Sequence, residues 1–391
     1  MSNRLQIFRE RMAAFEGAAN PQEAIESGYY VKPPGNLLAE RISARVALRP
    51  ASSHLLIGGI GSGKTTQLLV ACENLKKIGD IYPIYVDVSL YSDISEITPG
   101  VLTAIAGVEL SKLLKEDSDN EEIEILVETI FNIAYGYSKE VSLDIHFFDQ
   151  NYKGIIPAKN NYGIGENLIE TVSSLGEYIV DKFGNKIVLL FDGLDRLTDS
   201  KTLLKILASD AKVIENTNIG LVIVGALASL YGDDKITIEN SLDYFYHQPC
   251  FDIQNDSKAY NFFAQVLKSR LQENFIKETL IDPLIKFSGG ILRDLITLTQ
   301  SAIEETYISG DEKLEQKHIK KAVLGFAKSQ VLGLSDDDLK YLRVIINTEK
   351  FIPRTDQHIK LLVNRRIIEY EYPKQRYVVH PAIVSVLNNL S

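Results

Sequence analysis

The stretch Gly58-Gly59-Ile60-Gly61-Ser62-Gly63-Lys64-Thr65 decides the fold. It fits the pattern G-x-x-x-x-G-K-[ST], and it lies between an apolar run that begins at His54 and a helical pattern over 64–78. Glycines in this pattern let the backbone curl so that successive N–H groups point inward at a phosphate, and the helix N-terminus adds a positive dipole end. The sequence therefore predicts a phosphate-binding loop that joins a strand to a helix.

The same motif predicts the ligand and the role of each residue in the loop. We expect Lys64 to bridge the β- and γ-phosphates of ATP, and the Thr65 hydroxyl to coordinate Mg²⁺. ATP and Mg²⁺ are thus the expected cofactors. The residues predicted to bind the nucleotide are Gly58, Gly59, Ile60, Gly61, Ser62, Gly63, Lys64, Thr65 and Thr66.

Further apolar runs at 82–88, 186–191 and 220–224 alternate with helical patterns, which predicts a parallel sheet covered by helices. Asp192 directly follows the run 186–191, and we expect its carboxylate to hold Mg²⁺ through water. Many ATPases of this layout place Glu next, as the base that orients water, but this chain has Gly193. The next acid is Asp195, which becomes the candidate for that role.

Composition and charge narrow the class of protein. The chain has 391 residues, 45% apolar and 24% charged, and no apolar run long enough to span a membrane. Cys72 and Cys250 lie far apart without metal-ligand spacing, so buried thiols in a reducing cytoplasm are expected. The net charge is −10, but residues 311–391 carry 14 Lys and Arg against 10 Asp and Glu, which leaves 28 against 42 before them. Any contact with nucleic acid is therefore expected at the C-terminal end.

The order of the patterns predicts an α/β protein with a parallel-sheet P-loop NTPase core, a helical lid and a winged helix-turn-helix domain. The predicted boundaries are 1–50 for an N-terminal helix and lead-in linker, 51–250 for the core, 251–333 for the lid and 334–391 for the winged helix. In the winged helix, the apolar positions Leu339, Leu342 and Ile346 predict the buried face of its first helix.

A long insertion, about 95–180, separates the second strand of the core from the third. It contains an apolar stretch with alternating periodicity, at Val141, Leu143, Ile145 and Phe147, which predicts a strand. It also contains an acidic run formed by Glu116, Asp117, Asp119, Glu121, Glu122 and Glu124, which is typical of a solvated face. Since loops of this length are commonly functional, the hypothesis for the insertion is an element specific for a partner.

Two segments resemble known ATPase families. Asp192-Gly193-Leu194-Asp195 resembles the second motif of NACHT-type STAND ATPases, although Arg196 stands where that family usually carries Glu. Ser288-Gly289-Gly290-Ile291-Leu292-Arg293-Asp294-Leu295 resembles the sensor-2 element of AAA+ proteins of the origin-recognition type. This second resemblance implies that Arg293 reaches the γ-phosphate from the lid. STAND proteins generally have proline where Leu292 stands.

His380 gives a weaker resemblance. It lies where many STAND proteins have a Met-His-Asp triplet, whose histidine senses bound diphosphate. Only the histidine matches here, so the alternative is a packed histidine that forms hydrogen bonds before Pro381 at the end of a strand.

Three functions remain open. The first is an ATP-driven switch or motor that acts on partner proteins encoded nearby, as such ATPases do in bacterial immunity or mobile-element operons. The second is a DNA-binding initiator or loader, and the third is an inactive nucleotide-binding scaffold, suggested by Gly193. For the second, the residues expected to face phosphates or bases are Lys360, Asn364, Arg365 and Arg366.

The arginine content of the core predicts the rate of hydrolysis. The resemblance to AAA+ proteins implies that an arginine from a neighbouring subunit, located on the core after the second motif, stabilises the charge that develops on the transferred phosphoryl group. The segment 197–269 contains no arginine, and Arg196 is the only candidate in that part of the core. Slow hydrolysis by the isolated chain, accelerated by a partner or by self-assembly through Arg196, is therefore expected.

Overall fold

The structure is a computed structural model of the chain. It describes residues 3–16, 21–35, 38–114, 121–135, 156, 166–183, 186–197, 200–271 and 275–387. The chain divides into two compact units. Unit 1 comprises Met1–Leu37, Gly58–Thr66 and Gln248–Ser391, and unit 2 comprises Leu38–Ile57 and Gln67–His247.

The elements alternate between helix and strand in the first two thirds of the chain. The strands are β1 (Ser53–Gly58), β2 (Ile81–Asp87), β3 (Lys186–Asp192), β4 (Gly220–Gly225), β5 (Tyr244–Gln248), β6 (Ile367–Tyr370) and β7 (Arg376–Val379). The helices are α1 (Asn3–Ala13), α2 (Pro21–Glu26), α3 (Leu38–Leu48), α4 (Lys64–Lys76), α5 (Val101–Ser111), α6 (Glu121–Tyr135), α7 (Glu166–Phe183), α8 (Ser200–Ile206), α9 (Lys212–Asn216), α10 (Lys235–Glu239), α11 (Ser257–Lys268), α12 (Ile281–Ser288), α13 (Leu292–Ile308), α14 (Gln316–Val331), α15 (Asp336–Thr348), α16 (Asp356–Val363) and α17 (Pro381–Leu387).

The five strands of the core form one sheet in the order β2-β3-β4-β1-β5. The neighbours β2 and β3, β3 and β4, and β4 and β1 pair in parallel, which confirms the predicted parallel sheet. Strands β1 and β4 are buried along their whole length, as are all residues of β3 except Lys186. Strand β5 was not predicted, because its sequence Tyr-Phe-Tyr-His-Gln is neither a continuous apolar run nor a clean alternation.

Part of the insertion is helical. Every residue of α5 is buried, and α5 packs against both α6 and α7. Glu121, Glu122 and Glu124 of the acidic run lie in the first turn of α6, where carboxylates complement the helix dipole. The rest of that run, and the strand predicted around Val141, Leu143, Ile145 and Phe147, lie outside the described residues.

Unit 1 has its own apolar core, in which helices α11 to α14 of the predicted lid pack together. Asp256 caps α11, since its side chain accepts a hydrogen bond from the Lys258 backbone N–H. The N-terminal helix α1 contributes Phe8 to the same core, and the ring of Phe8 lies edge-on to Phe275. The predicted N-terminal helix thus packs onto the lid.

The winged helix-turn-helix arrangement is confirmed. Helices α15 and α16 precede the antiparallel hairpin of β6 and β7, in which Ile367 pairs with Val379, and α17 follows. The buried face of α15 carries Leu342 and Ile345. Ile346, which the sequence places on that face, is 38% exposed. The prediction for this position was therefore wrong by one residue, since Ile345 is the buried one.

Two further observations concern the sequence predictions. Cys72 and Cys250 are free thiols, and burial raises the pKa of Cys72 to about 11, which keeps the thiol protonated. Among the residues that the structure describes, no helix is long and apolar enough to cross a membrane.

A buried ion pair links the hairpin to the start of the lid. Arg376 donates to both carboxylate oxygens of Asp252, with Nε–Oδ2 and Nη2–Oδ1 distances of 2.8 Å. Burial opposes ionisation of Asp252, but hydrogen bonds from Arg376 and Asn255 outweigh it and lower the pKa of the carboxyl. The guanidinium of Arg376 also donates to Glu349. The bidentate pair therefore holds both charges in fixed positions.

Replacing Arg376 by Ala leaves the Asp252 carboxylate buried without its guanidinium partner. We expect the free energy of unfolding to fall by about 3 kcal/mol, measured by denaturant titration with circular dichroism. Lys340→Ala is the matched control, because the side chains of Lys340 and its ion-pair partner Asp337 are 74% and 90% exposed. That variant should lose less than about 1 kcal/mol. Equal losses in the two variants would contradict the assignment.

Candidate nucleotide-binding site

The phosphate loop connects the end of β1 to the start of α4, as the motif predicts. Gly61 and Gly63 have φ angles of +84° and +94°, a left-handed region that favours glycine. The backbone N–H of Ser62 donates to the carbonyl of Gly59 at 3.2 Å and closes a turn. Two of the four predicted glycines are thus required by the shape of the backbone.

The ammonium group of Lys64 lies over this loop. Its Nζ donates to the carbonyl oxygens of Gly58 and Gly59 at 2.9 and 2.8 Å, and the residue is only 3% exposed. Phosphate oxygens carry charge and are stronger acceptors than backbone carbonyls. The ammonium group is therefore already at the loop, where a phosphate would be a better partner for it.

The hydroxyl groups of the loop fit a phosphate as well. Ser62 is 1% exposed, and within the described part of the chain its Oγ has no hydrogen-bond partner. Leaving a buried hydroxyl unpaired costs free energy, which a phosphate oxygen at this position would recover. Thr65 and Thr66 lie half-buried in the first turn of α4. The residues present therefore fit a nucleotide phosphate.

The lid brings Arg293 to the same loop. A Cβ atom built on Gly61 would lie 2.9 Å from Cβ of Arg293 and 2.8 Å from Cγ2 of Ile291. A Cβ atom on Gly63 would lie 3.2 Å from Cδ1 of Leu292. These glycines are thus needed for the close approach of the lid as well as for their φ angles. Arg293, in the first turn of α13, has an exposed side chain.

His380 lies directly before α17 and is fully buried. Its Nδ1 accepts a hydrogen bond from the backbone N–H of Ala382 at 3.2 Å, and its Nε2 lies 3.3 Å from Oδ2 of Asp294. These contacts are typical of a packed histidine, which is the alternative to diphosphate sensing given above. Diphosphate sensing by His380 stays a prediction.

In unit 2, the carboxylate of Asp192 is fixed at the end of β3 and is 5% exposed. Its Oδ2 accepts a hydrogen bond from the Tyr85 hydroxyl at 3.0 Å, and its Oδ1 accepts one from the Gly193 N–H at 2.8 Å. Burial and the neighbouring carboxylate raise the pKa of Tyr85, so its hydroxyl stays a donor at neutral pH. Asp192 is thus held in one orientation.

Two more carboxylates lie in this part of unit 2. Asp87 ends β2 opposite Asp192 in the strand register, and its Oδ1 accepts hydrogen bonds from Ser89. Asp195 is half-buried in the single 3₁₀ turn Leu194–Arg196, and the side chain of Arg196 is exposed. Sequence reasoning missed Tyr85 and Asp87, although both lie near the end of a predicted strand that neighbours the strand of Asp192.

The basic residues proposed for DNA differ in their surroundings. Arg365 Nη1 lies 3.3 Å from Oδ1 of Asp294, and Arg366 donates to the backbone carbonyls of Gln330 and Asn364. Lys360 and Asn364 have exposed side chains. Two of the four predicted residues are thus engaged in contacts within unit 1.

No protein-family model matches the chain, and no curated protein matches it. Solved structures do match. The ORC2 protein of Aeropyrum pernix, in complexes with ADPNP and ADP, has 13% identity and a TM-score of 0.45 over 92% of this chain and 95% of its own. Cdc6p from Pyrobaculum aerophilum has 13% identity and a TM-score of 0.45 over 93% and 98%. The RuvB Holliday junction branch migration motor of Thermotoga maritima has 11% identity and a TM-score of 0.40 over 90% and 95%.

Replacing Lys64 by Ala removes the ammonium group from the loop. We expect ATP to bind about 50-fold more weakly, because hydrogen bonds to charged groups are lost, and the melting temperature to stay near that of the unmodified chain. Fluorescent ATP titration measures the affinity. Lys76→Ala, which removes an exposed lysine at the other end of α4 that pairs with Glu73, is the control and should bind ATP normally. Normal ATP binding by Lys64→Ala would contradict the prediction that this loop binds phosphate.

Loss of the Arg293 guanidinium should weaken the binding of ATP more than that of ADP, since the sensor-2 resemblance predicts that Arg293 reaches the γ-phosphate. For Arg293→Ala we expect the ratio of the two dissociation constants to shift towards ADP by about tenfold. Arg343→Ala, which removes an exposed arginine of α15, should leave that ratio unchanged. Equal weakening of both nucleotides by Arg293→Ala would indicate a solvated arginine without this role.

Proposed function

We propose that the chain is a P-loop ATPase that binds ATP, hydrolyses it slowly and acts as a nucleotide-dependent switch on partner proteins. The observation that carries the proposal is the phosphate loop of unit 1. There the backbone turns through Gly61 and Gly63, the ammonium group of Lys64 lies over it, and Arg293 of the lid lies beside it.

In the proposed site, each group has one task in binding. The loop N–H groups and Lys64 bind the β- and γ-phosphates, and Ser62 offers its hydroxyl to a phosphate oxygen. Arg293 reads the γ-phosphate from the lid. A triphosphate is therefore the ligand for which this donor set is complete.

Thr65 and Asp192 are the residues proposed to hold Mg²⁺. The ion, when bound, supplies positive charge to the β- and γ-phosphate oxygens. Asp192 suits a role through water because Tyr85 and the Gly193 N–H fix its carboxylate. Asp195 is proposed to orient the attacking water, because Gly193 brings no side chain to the position after Asp192.

Slow turnover follows from the lack of a suitable arginine. The segment 197–269 has none, and Lys235 in that segment pairs with Glu239 at 3.7 Å. A lysine also lacks the planar fork with which arginine meets two phosphate oxygens. Arg196, exposed in its turn, is the residue proposed to act on the site of a neighbouring copy. The chain would then wait in its ATP state until it assembles or meets its partner.

Partner proteins encoded nearby, in a defence or mobile-element system, are the proposed targets of the switch. The acidic charge of the chain before residue 311 and the helical insertion support protein partners over nucleic acid. A DNA-binding initiator is the second candidate, favoured by the exposed Lys360 and Asn364. Duplex binding that weakens steeply with salt would distinguish it, because phosphate contacts release counterions.

A steady-state ATPase assay over a range of protein concentrations tests the slow switch. We expect low turnover by the dilute chain and a rise towards about 10³-fold on assembly or addition of the partner, lost in Arg196→Ala. Lys201→Ala, which removes a basic residue of α8 close to Arg196 in the sequence, is the control and should keep the rise in turnover. Fast turnover by the dilute monomer would defeat the proposal.

A further inference from the structure

The segment that lies on the phosphate loop, 290–293, follows a joint between two lid helices. Gly289 and Gly290, after α12, have φ angles of +61° and +74°. Neither residue continues a helix, so α12 does not by itself determine where α13 begins. The contacts that flank this joint therefore help to place Arg293, together with the packing of α13 in the lid core.

Both flanks of the segment are held by the wing, defined here as 334–387. On one side, the buried Tyr370 hydroxyl donates to the carbonyl of Gly289 at 2.6 Å. On the other side, Asp294 is 1% exposed and lies 3.3 Å from Arg365 and from His380. The residues that touch Gly61 and Gly63 thus lie between two points of attachment to the wing.

Arg365 occupies its position at a cost to the backbone. Its φ angle is +62°, and it ends α16 with hydrogen bonds from its own N–H to Leu362 and from the Arg366 N–H to Leu361. This is the helix ending at which glycine is the usual residue, because an L side chain is strained there. Arginine at this position brings Asp294 a charge that glycine would not supply.

We propose that Arg365 is a positioning residue for the nucleotide site. Its charge keeps the Asp294 carboxylate buried, and thereby fixes the first turn of α13, with Arg293, against the phosphate loop. In the described part of the chain neither contact of Asp294, with Arg365 or with His380, has hydrogen-bond geometry. Charge attraction across 3.3 Å is then what holds this carboxylate in place.

The consequence concerns the selection of nucleotide. Without Arg365, the carboxylate of Asp294 would move towards water and take the first turn of α13 with it. Arg293 would then lose its place at the γ-phosphate, while the loop and Lys64 would keep their own contacts. The inference rests on the proposed function, in which Arg293 distinguishes ATP from ADP.

Arg365→Gly is the decisive variant, because it removes the charge and relieves the backbone at the same position. We expect it to keep its melting temperature within a few degrees and to lose about tenfold in preference for ATP over ADP, as Arg293→Ala does. Glu349→Gly is the matched control, since Glu349 also has a positive φ, of +51°, at the end of a wing helix. It should keep the preference of the unmodified chain.

Asp294→Asn tests the other partner of the pair with little change in shape. It should lose the same preference, and the double variant with Arg365→Gly should lose no more than either alone. An unchanged preference in Arg365→Gly, or additive losses in the double variant, would overturn the positioning role. Failure of the unmodified chain to bind ATP, or an Arg293→Ala variant without effect, would instead contradict the proposed function.

Discussion

The phosphate loop forms only because two of its positions carry no side chain. Gly61 and Gly63 turn the backbone through positive φ angles, and both positions are closely approached by the start of α13. A side chain at Gly61 would clash with Ile291 and Arg293. The same two residues therefore govern both the curl of the loop and the contact with the lid, and the placement of Lys64 and Arg293 depends on them.

The position of the segment that approaches the loop also depends on the wing, which contacts Gly289 and Asp294 on either side of it. From the sequence, Arg365 is a candidate contact for DNA, but Arg365 contacts Asp294, and Arg376, for which no role was predicted, contacts Asp252. The pair of Arg376 is bidentate and well formed, whereas that of Arg365 has no hydrogen-bond geometry. We interpret the first as a structural attachment and the second as the contact that adjusts the nucleotide site.

Local sequence was enough to predict most elements of the core. Four of its five strands are apolar runs that end in glycine or aspartate. The motif of the phosphate loop predicts the turn between β1 and α4. Strand β5 was missed because two of its three aromatic residues, Tyr244 and Phe245, lie half-buried at the sheet edge, where the hydrophobic pattern of a strand is weak. On α15, the buried residue is Ile345 and not Ile346 as predicted. Because the two adjacent residues are both isoleucine, the sequence does not determine which of them faces the core.

The candidate site was predicted only where one segment carries all the information. Lys64, Thr65 and Asp192 belong to motifs of consecutive residues, but Tyr85 acts on Asp192 from a neighbouring strand, and Asp294 meets Arg365 across 71 positions of sequence. No periodicity reports such pairs, because they depend on how the lid and wing pack. Asp195 is proposed to orient the attacking water on sequence spacing alone.

The loop of unit 1 is proposed to bind the phosphates of a nucleotide. Calorimetric titration of the full chain with AMP, ADP and ATP, each with Mg²⁺, tests it most directly. We predict that affinity rises with each added phosphate, with AMP the weakest ligand by far, because Lys64 and the loop N–H groups are proposed to contact only the β- and γ-phosphates. AMP binding as tight as that of ATP would contradict the account.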